Sequence, residues 1–127
     1  MAFAQLGLNP LVVKAVEASG YTEPTAVQIQ AIPATLQGAD LLVSSQTGSG
    51  KTAAFMLPCL HRLDQPSALP GRGPRVVVLT PTRELAAQIL EDLNSFAVHT
   101  PISAAAVFGG VGMGPQEQAF RRGVDVM

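Results

Sequence analysis

The sequence predicts an α/β fold, a parallel sheet with helices packed on its faces, and three observations carry that reading. Short apolar runs alternate with amphipathic stretches along the whole chain, the pattern of strands joined by right-handed helical crossovers. One apolar run, Leu41-Leu42-Val43, feeds a glycine-bearing turn that opens into Ala53-Ala54-Phe55-Met56-Leu57, the strand-turn-helix context of a phosphate-binding loop. The 127 residues are 47% apolar and 13% charged. That composition suits a single globular domain able to bury roughly two-thirds of its unfolded surface.

In chain order, Phe3 lies in a short apolar lead-in. Asn9 can cap a helix with Pro10 in its first turn, where a missing N–H costs nothing. Leu8, Leu11, Val12, Ala15 and Val16 then recur at helical spacing until Gly20, predicting a helix over 10–19. Thr25 starts a second helix, with Gln28 three residues on as its capping-box partner; Pro33 is expected to interrupt or kink it and Gly38 to end it. Residues 40–44 are the first predicted strand, short, apolar and central. The helix after the turn runs to Leu63, with Pro58 bending its later part. Residues 65–74, rich in Pro and Gly, form an exposed connection.

Val76-Val77-Val78-Leu79 is a continuous apolar run suited to a strand covered on both faces. Thr80-Pro81-Thr82 opens the next helix, with Leu85, Ala86, Ile89, Leu90, Leu93 and Phe96 as its core stripe. Glu84, Gln88, Glu91 and Asp92 are expected to point elsewhere. His99 suits the helix C-terminus. A third strand is predicted over 103–108, a short helix over 116–122, and the start of a further strand at 124–127.

The turn itself reads Ser45-Gln46-Thr47-Gly48-Ser49-Gly50-Lys51-Thr52. Gly48 and Gly50 let the backbone bring several N–H groups close to an anion. The helix that follows aims its positive dipole end at the same place. Lys51 would reach the β- and γ-phosphates of a nucleotide, and the Thr52 hydroxyl would ligate Mg²⁺. Ser45 stands where the strict phosphate-loop pattern has glycine.

The net charge of −1 gives no global attraction to nucleic acid or acidic membranes, so any such contact must be local. Cys59 is the single cysteine, which excludes an intrachain disulfide and suggests a buried, reduced thiol. Neither Cys59 nor His61 has a partner at metal-ligand spacing. No apolar stretch is long enough to span a bilayer, and a soluble cytoplasmic protein is the expectation.

Four motifs, in order, resemble the N-terminal part of a DEAD-box RNA helicase. Phe3 lies 17 positions before Gly20-Tyr21-x-x-Pro24-Thr25-x-x-Gln28, similar to that family's Q motif with its upstream aromatic. Ser45 to Thr52 resembles motif I, whose first position is often alanine. Pro81-Thr82-Arg83-Glu84-Leu85-Ala86-Ala87-Gln88 resembles motif Ia, and Gly109-Gly110 the glycine doublet. The likeness runs over essentially the whole chain.

The resemblance implies a RecA-like phosphate-loop sheet in which residues 1–127 form the N-terminal portion of the ATP-binding domain. It makes Gln28 an adenine reader and Tyr21 the platform on which the base stacks, where the residues alone favour a helix cap and a packing residue. Ser45, Gln46, Thr47, Gly48, Ser49, Gly50, Lys51 and Thr52 become the ATP and Mg²⁺ site, with Lys51 and Thr52 as the catalytic candidates and Thr52 as the metal ligand. Pro81, Thr82, Arg83, Gly109 and Gly110 become contacts to phosphates of single-stranded RNA or a short duplex.

The resemblance also implies parts that do not occur here: the Asp-Glu-Ala-Asp and Ser-Ala-Thr motifs and a second RecA-like domain. In RecA-like sheets the phosphate-loop strand pairs with strands later in sequence, so residues 41–44 are expected to carry open hydrogen-bonding edges. The chain is therefore expected to be a piece of a longer helicase, one that closes on RNA with ATP and separates short duplexes. By itself it is expected not to hydrolyse ATP. A non-catalytic nucleotide- or RNA-binding module is the first alternative. A small-molecule kinase on the same loop is the second, and it leaves the Q motif unexplained.

Overall fold

Among the described residues, four α-helices and a short 3-10 helix enclose an apolar core, with three extended segments meeting at one side. The structure, a computed structural model, describes residues 2–46, 50–63, 74–107, 114, 116 and 124–127. A 3-10 helix over Phe3–Leu6 precedes α1 (Pro10–Ala18), which starts as the sequence predicts: the Asn9 side chain accepts from Leu11 N. A second pin comes from afar, because Asn9 N donates to His61 Nδ1 over 2.8 Å. That places His61 in a structural role.

α2 spans Ala26–Leu36 and continues through Pro33. The expected interruption does not occur: the one bond Pro33 cannot donate belongs to Ile29, on an exposed position, where water can serve the carbonyl. α3 spans Lys51–Arg62 and carries Pro58 inside it. The two helices make the most extensive pairing among the described elements. Arg62 reinforces it by donating to Thr35 O, at the C-terminal end of α2, over 2.7 Å, where a cation is favoured by the helix dipole.

α4 spans Arg83–Phe96 and is capped by Thr82, whose hydroxyl accepts from Leu85 N. His99 lies in the turn just past the end of this helix. Phe3, Val12, Val16, Ile32, Met56, Leu57, Leu60, Leu93 and Phe96 form the heart of the core, each contributing about 1.5–3 kcal/mol of burial for its larger side chains.

The sheet is where sequence and structure part. Among the described residues there is no strand beyond isolated parallel bridges, Val76 with Val126 and Ala104 with Val126. Val126 thus lies between the other two segments, and bonds such as Val78 N to Met127 O (2.8 Å) and Ala105 N to Val126 O (3.1 Å) flank it. Asp125 ties all three together. It pairs with Arg75 at 2.8 Å, and its other oxygen accepts from Ser103 N at 3.1 Å.

Residues 40–44, predicted as the central strand, form none. Leu41, Leu42 and Val43 are exposed, because an extended segment without a neighbouring strand has no ladder to join. Val77 and Leu79 are likewise exposed rather than covered on both faces. Of the helix predicted over 116–122 only Gln116 is described, and it is helical. No helix among the described residues is long and apolar enough to cross a membrane.

Candidate nucleotide site

The N-terminus of α2 forms a reciprocal capping box. Thr25 N donates to Gln28 Oε1 at 2.9 Å, and Gln28 N donates back to Thr25 Oγ1 at 3.4 Å. The same Gln28 side chain then reaches across 22 residues of sequence: Nε2 donates to the carbonyl oxygen of Gly50 at 3.1 Å. Gln28 is buried, at 0% exposure, while the two bonds its side chain makes are partly buried.

Gly50 is the N-cap of α3, with φ +90°. A Cβ there would run into Gln28 Nε2 and would approach Thr25 Oγ1 to 3.0 Å. Glycine is required twice over, by the left-handed backbone and by the close approach of Gln28. Lys51, the next residue, folds its side chain back so that Nζ donates to Ser45 O at 2.6 Å. The ammonium group, with three donors in all, thus links the start of α3 to Ser45.

These groups border a cavity of about 880 Å³ lined by Tyr21, Thr25, Gln28, Gly50, Lys51 and Thr52 on one side and by Val78, Thr80, Leu85, Ile89 and Phe96 on another. A volume of that order is ample for a nucleotide. Thr52, in the first turn of α3 beside Lys51, fits a metal-ligating hydroxyl. Among the described residues no group of three or more His, Cys, Asp or Glu is arranged to hold a metal.

Gln46 is exposed and lies outside this lining, while Thr47, Gly48 and Ser49 lie outside the described residues. Pro81, Thr82 and Arg83 are exposed at the start of α4, away from the cavity lining, and Gly109 and Gly110 also lie outside the described residues.

Two cavity residues escaped the sequence reading. Gln88 and Asp92 were expected to face away from the core stripe, yet both line the cavity with Leu85, Ile89 and Phe96. Their offsets from Leu85 place them on one helical face, which is the signal that could have found them. Of the predicted stripe only Leu93 and Phe96 are buried, since no described strand covers the rest. Partial burial pushes the Asp92 carboxyl above its ordinary value, and neighbouring Glu91 adds to the rise. On α3, burial raises the Cys59 thiol, with Arg62 pulling the other way.

The description that matches residues 25–127 is that of the DEAD/DEAH box helicases. The chain belongs to this family. It is 46% identical over 126 residues to the ATP-dependent RNA helicase SrmB of Haemophilus influenzae, covering 98% of this chain and 28% of that protein. Its fold matches that of a DEAD box protein from Methanococcus jannaschii with a TM-score of 0.88 at 31% identity, over 100% of this chain and 34% of the other. The RNA-helicase Prp28 from Chaetomium thermophilum, in a crystal structure bound to ADP, matches with a TM-score of 0.87 at 36% identity, over 98% of this chain and 31% of that one. The chain thus spans about a third or less of the length of each of these relatives. The fold is that of DEAD-box proteins.

Proposed function

We propose that the cavity beside Gly50 takes ATP with Mg²⁺, and that residues 1–127 form the N-terminal portion of the RecA-like ATP-binding domain of an ATP-dependent RNA helicase. The bond from Gln28 Nε2 to Gly50 O carries this reading, because it holds the base-reading candidate against the phosphate-loop candidate. A glutamine amide has two N–H donors and two acceptor lone pairs. Thr25 N and Gly50 O use one of each, leaving one donor and one acceptor, the pair that adenine N7 and N6–H₂ require. Since Gln28 is closed to solvent, a base reaches it only when the groups covering it shift.

Tyr21 offers a ring on which the base stacks. Lys51 neutralises the β- and γ-phosphates, Thr52 holds the metal, and the start of α3 turns its N–H groups toward the phosphates. Mg²⁺, when bound, would offset charge developing on the transferred phosphoryl group. Ser45, Gln46, Thr47, Gly48 and Ser49 complete the loop in this proposal. Pro81, Thr82 and Arg83, with Gly109 and Gly110, would bind phosphates of single-stranded RNA, so that ATP binding closes this domain and a second RecA-like domain on RNA and parts a short duplex. Completing the parallel sheet around residues 41–44 falls to strands elsewhere in the protein.

The test is RNA-stimulated ATP hydrolysis by the full-length protein. Hydrolysis that depends on RNA and is lost in Lys51→Ala supports the proposal. Nucleotide binding without hydrolysis under any RNA condition would instead make it a nucleotide-binding module.

A further inference from the structure

Phe96 closes α4 and is 2% exposed, the burial expected of a core residue. Its ring nevertheless meets the ring of Tyr21, with centroids 5.6 Å apart and planes inclined at 67°. Tyr21 follows Gly20, whose φ is +94°, in the turn between α1 and α2, where its backbone N–H is tied to Val16 O at 3.2 Å. It is 37% exposed, and both rings border the cavity that contains Gln28 and Lys51.

An edge contact of this kind fixes ring tilt, since the negative face of one ring meets the positive edge of the other. Whichever ring supplies the edge, the contact with Phe96 takes at most one face of Tyr21, and the residue remains 37% exposed. Without the contact, a tyrosine in a turn would spend its time among several rotamers, and a base stacking on it would have to order it first.

We propose that Phe96 is a positioning residue for the nucleotide base, holding the Tyr21 ring at the cavity wall in the orientation that stacks. This rests on the assignment of the cavity as the ATP site. It adds that the adenine platform is built from two elements far apart in sequence, so that its geometry depends on the end of α4.

Stacking does not distinguish bases, whereas the Gln28 amide does. Loss of the Phe96 ring should therefore weaken ATP and GTP alike and leave a ligand without a base unaffected. The experiment measures, in the full-length protein, competition by ATP, GTP and inorganic triphosphate in the parent, Phe96→Leu, Tyr21→Leu and the double variant. Phe96→Ile serves if the leucine variant does not fold.

The expected result is a loss of about 2- to 10-fold in affinity for both nucleotides in Phe96→Leu, no change for inorganic triphosphate, and no additional loss when Tyr21→Leu is already present. A loss shared by inorganic triphosphate, or one additive with Tyr21→Leu, makes Phe96 a structural residue and overturns the inference. If Tyr21→Leu weakens nucleotides and the Phe96 variants do not, the inference alone falls. If Tyr21→Leu has no effect, the base-site assignment falls, and the inference with it.

Discussion

Gln28 and Gly50, 22 residues apart, are joined by a hydrogen bond of 3.1 Å from the side-chain amide of the first to the backbone carbonyl of the second. Through it the start of α2 and the start of α3 become one unit, so whatever orders the phosphate loop also fixes the glutamine. Gln28→Glu keeps the acceptor that caps α2 and removes the donor to Gly50, leaving a carboxylate against a partly buried carbonyl. A loss of about 1–3 kcal/mol in stability is expected, read as a lower denaturation midpoint. An unchanged midpoint would show that the bond contributes nothing.

Gly50→Ala tests the other partner. The left-handed backbone costs an L-residue about 1–2 kcal/mol, and the added methyl must displace Gln28 as well. Thermal denaturation should register both effects. The same change in a Gln28→Ala background should cost less, because one of the two obstacles is gone.

The extent to which this was legible in the sequence differs from element to element. Asn9, Thr25 and Thr82 announce three helix starts through local chemistry, and the structure forms all three caps. Local signals also gave the apolar runs at 41–44 and 76–79, but a strand is a relation between segments. Residues 41–44 form no bridge with any described segment, so their strand pattern had no partner to act on. The bond from Gln28 to Gly50 and the salt bridge from Arg75 to Asp125 were invisible for the same reason, each joining residues brought together only by the fold. Gln88 and Asp92 were legible in principle, by their spacing from Leu85, but polarity suggested the wrong face.

Asp125→Ala removes the group that joins three extended segments. Its pair with Arg75 is only partly exposed, at 14% for each side chain, so the cost falls between surface and buried limits, at about 1–3 kcal/mol. Hydrogen exchange at Val78, Ala105 and Met127 should speed up before exchange in α2 and α3 does. Uniform acceleration would mean that these segments are not a separate unit.

The Cys59 thiol, raised chiefly by burial, has a folded-state value above its unfolded one. Its neutral form is therefore favoured by folding, and the associated stability is present below the unfolded value and lost as pH rises through the folded one. Stability should fall on the alkaline side, less steeply in Cys59→Ala. Alkylation of the native protein near neutral pH should be slower than that of a free cysteine.

Arg83 and Phe96 begin and end α4, about 20 Å apart along its axis. Arg83→Ala should weaken RNA binding and lower the salt dependence of that binding by about one phosphate contact, while ATP affinity without RNA stays the same. Equal loss of both would place Arg83 in the nucleotide site.

The most direct measurement of whether Gln28, Gly50 and Lys51 form one adenine-nucleotide site is the affinity of the full-length protein for ATP and GTP, taken in the parent, Lys51→Ala and Gln28→Ala. Lys51→Ala should weaken both nucleotides by about 10- to 100-fold through loss of a charge-assisted contact. Gln28→Ala should weaken ATP more than GTP, erasing a preference of about 1–3 kcal/mol for adenine. A parent protein that binds GTP as tightly as ATP, or a Gln28→Ala variant that retains the full preference, would show that Gln28 caps α2 and braces Gly50 without reading a base.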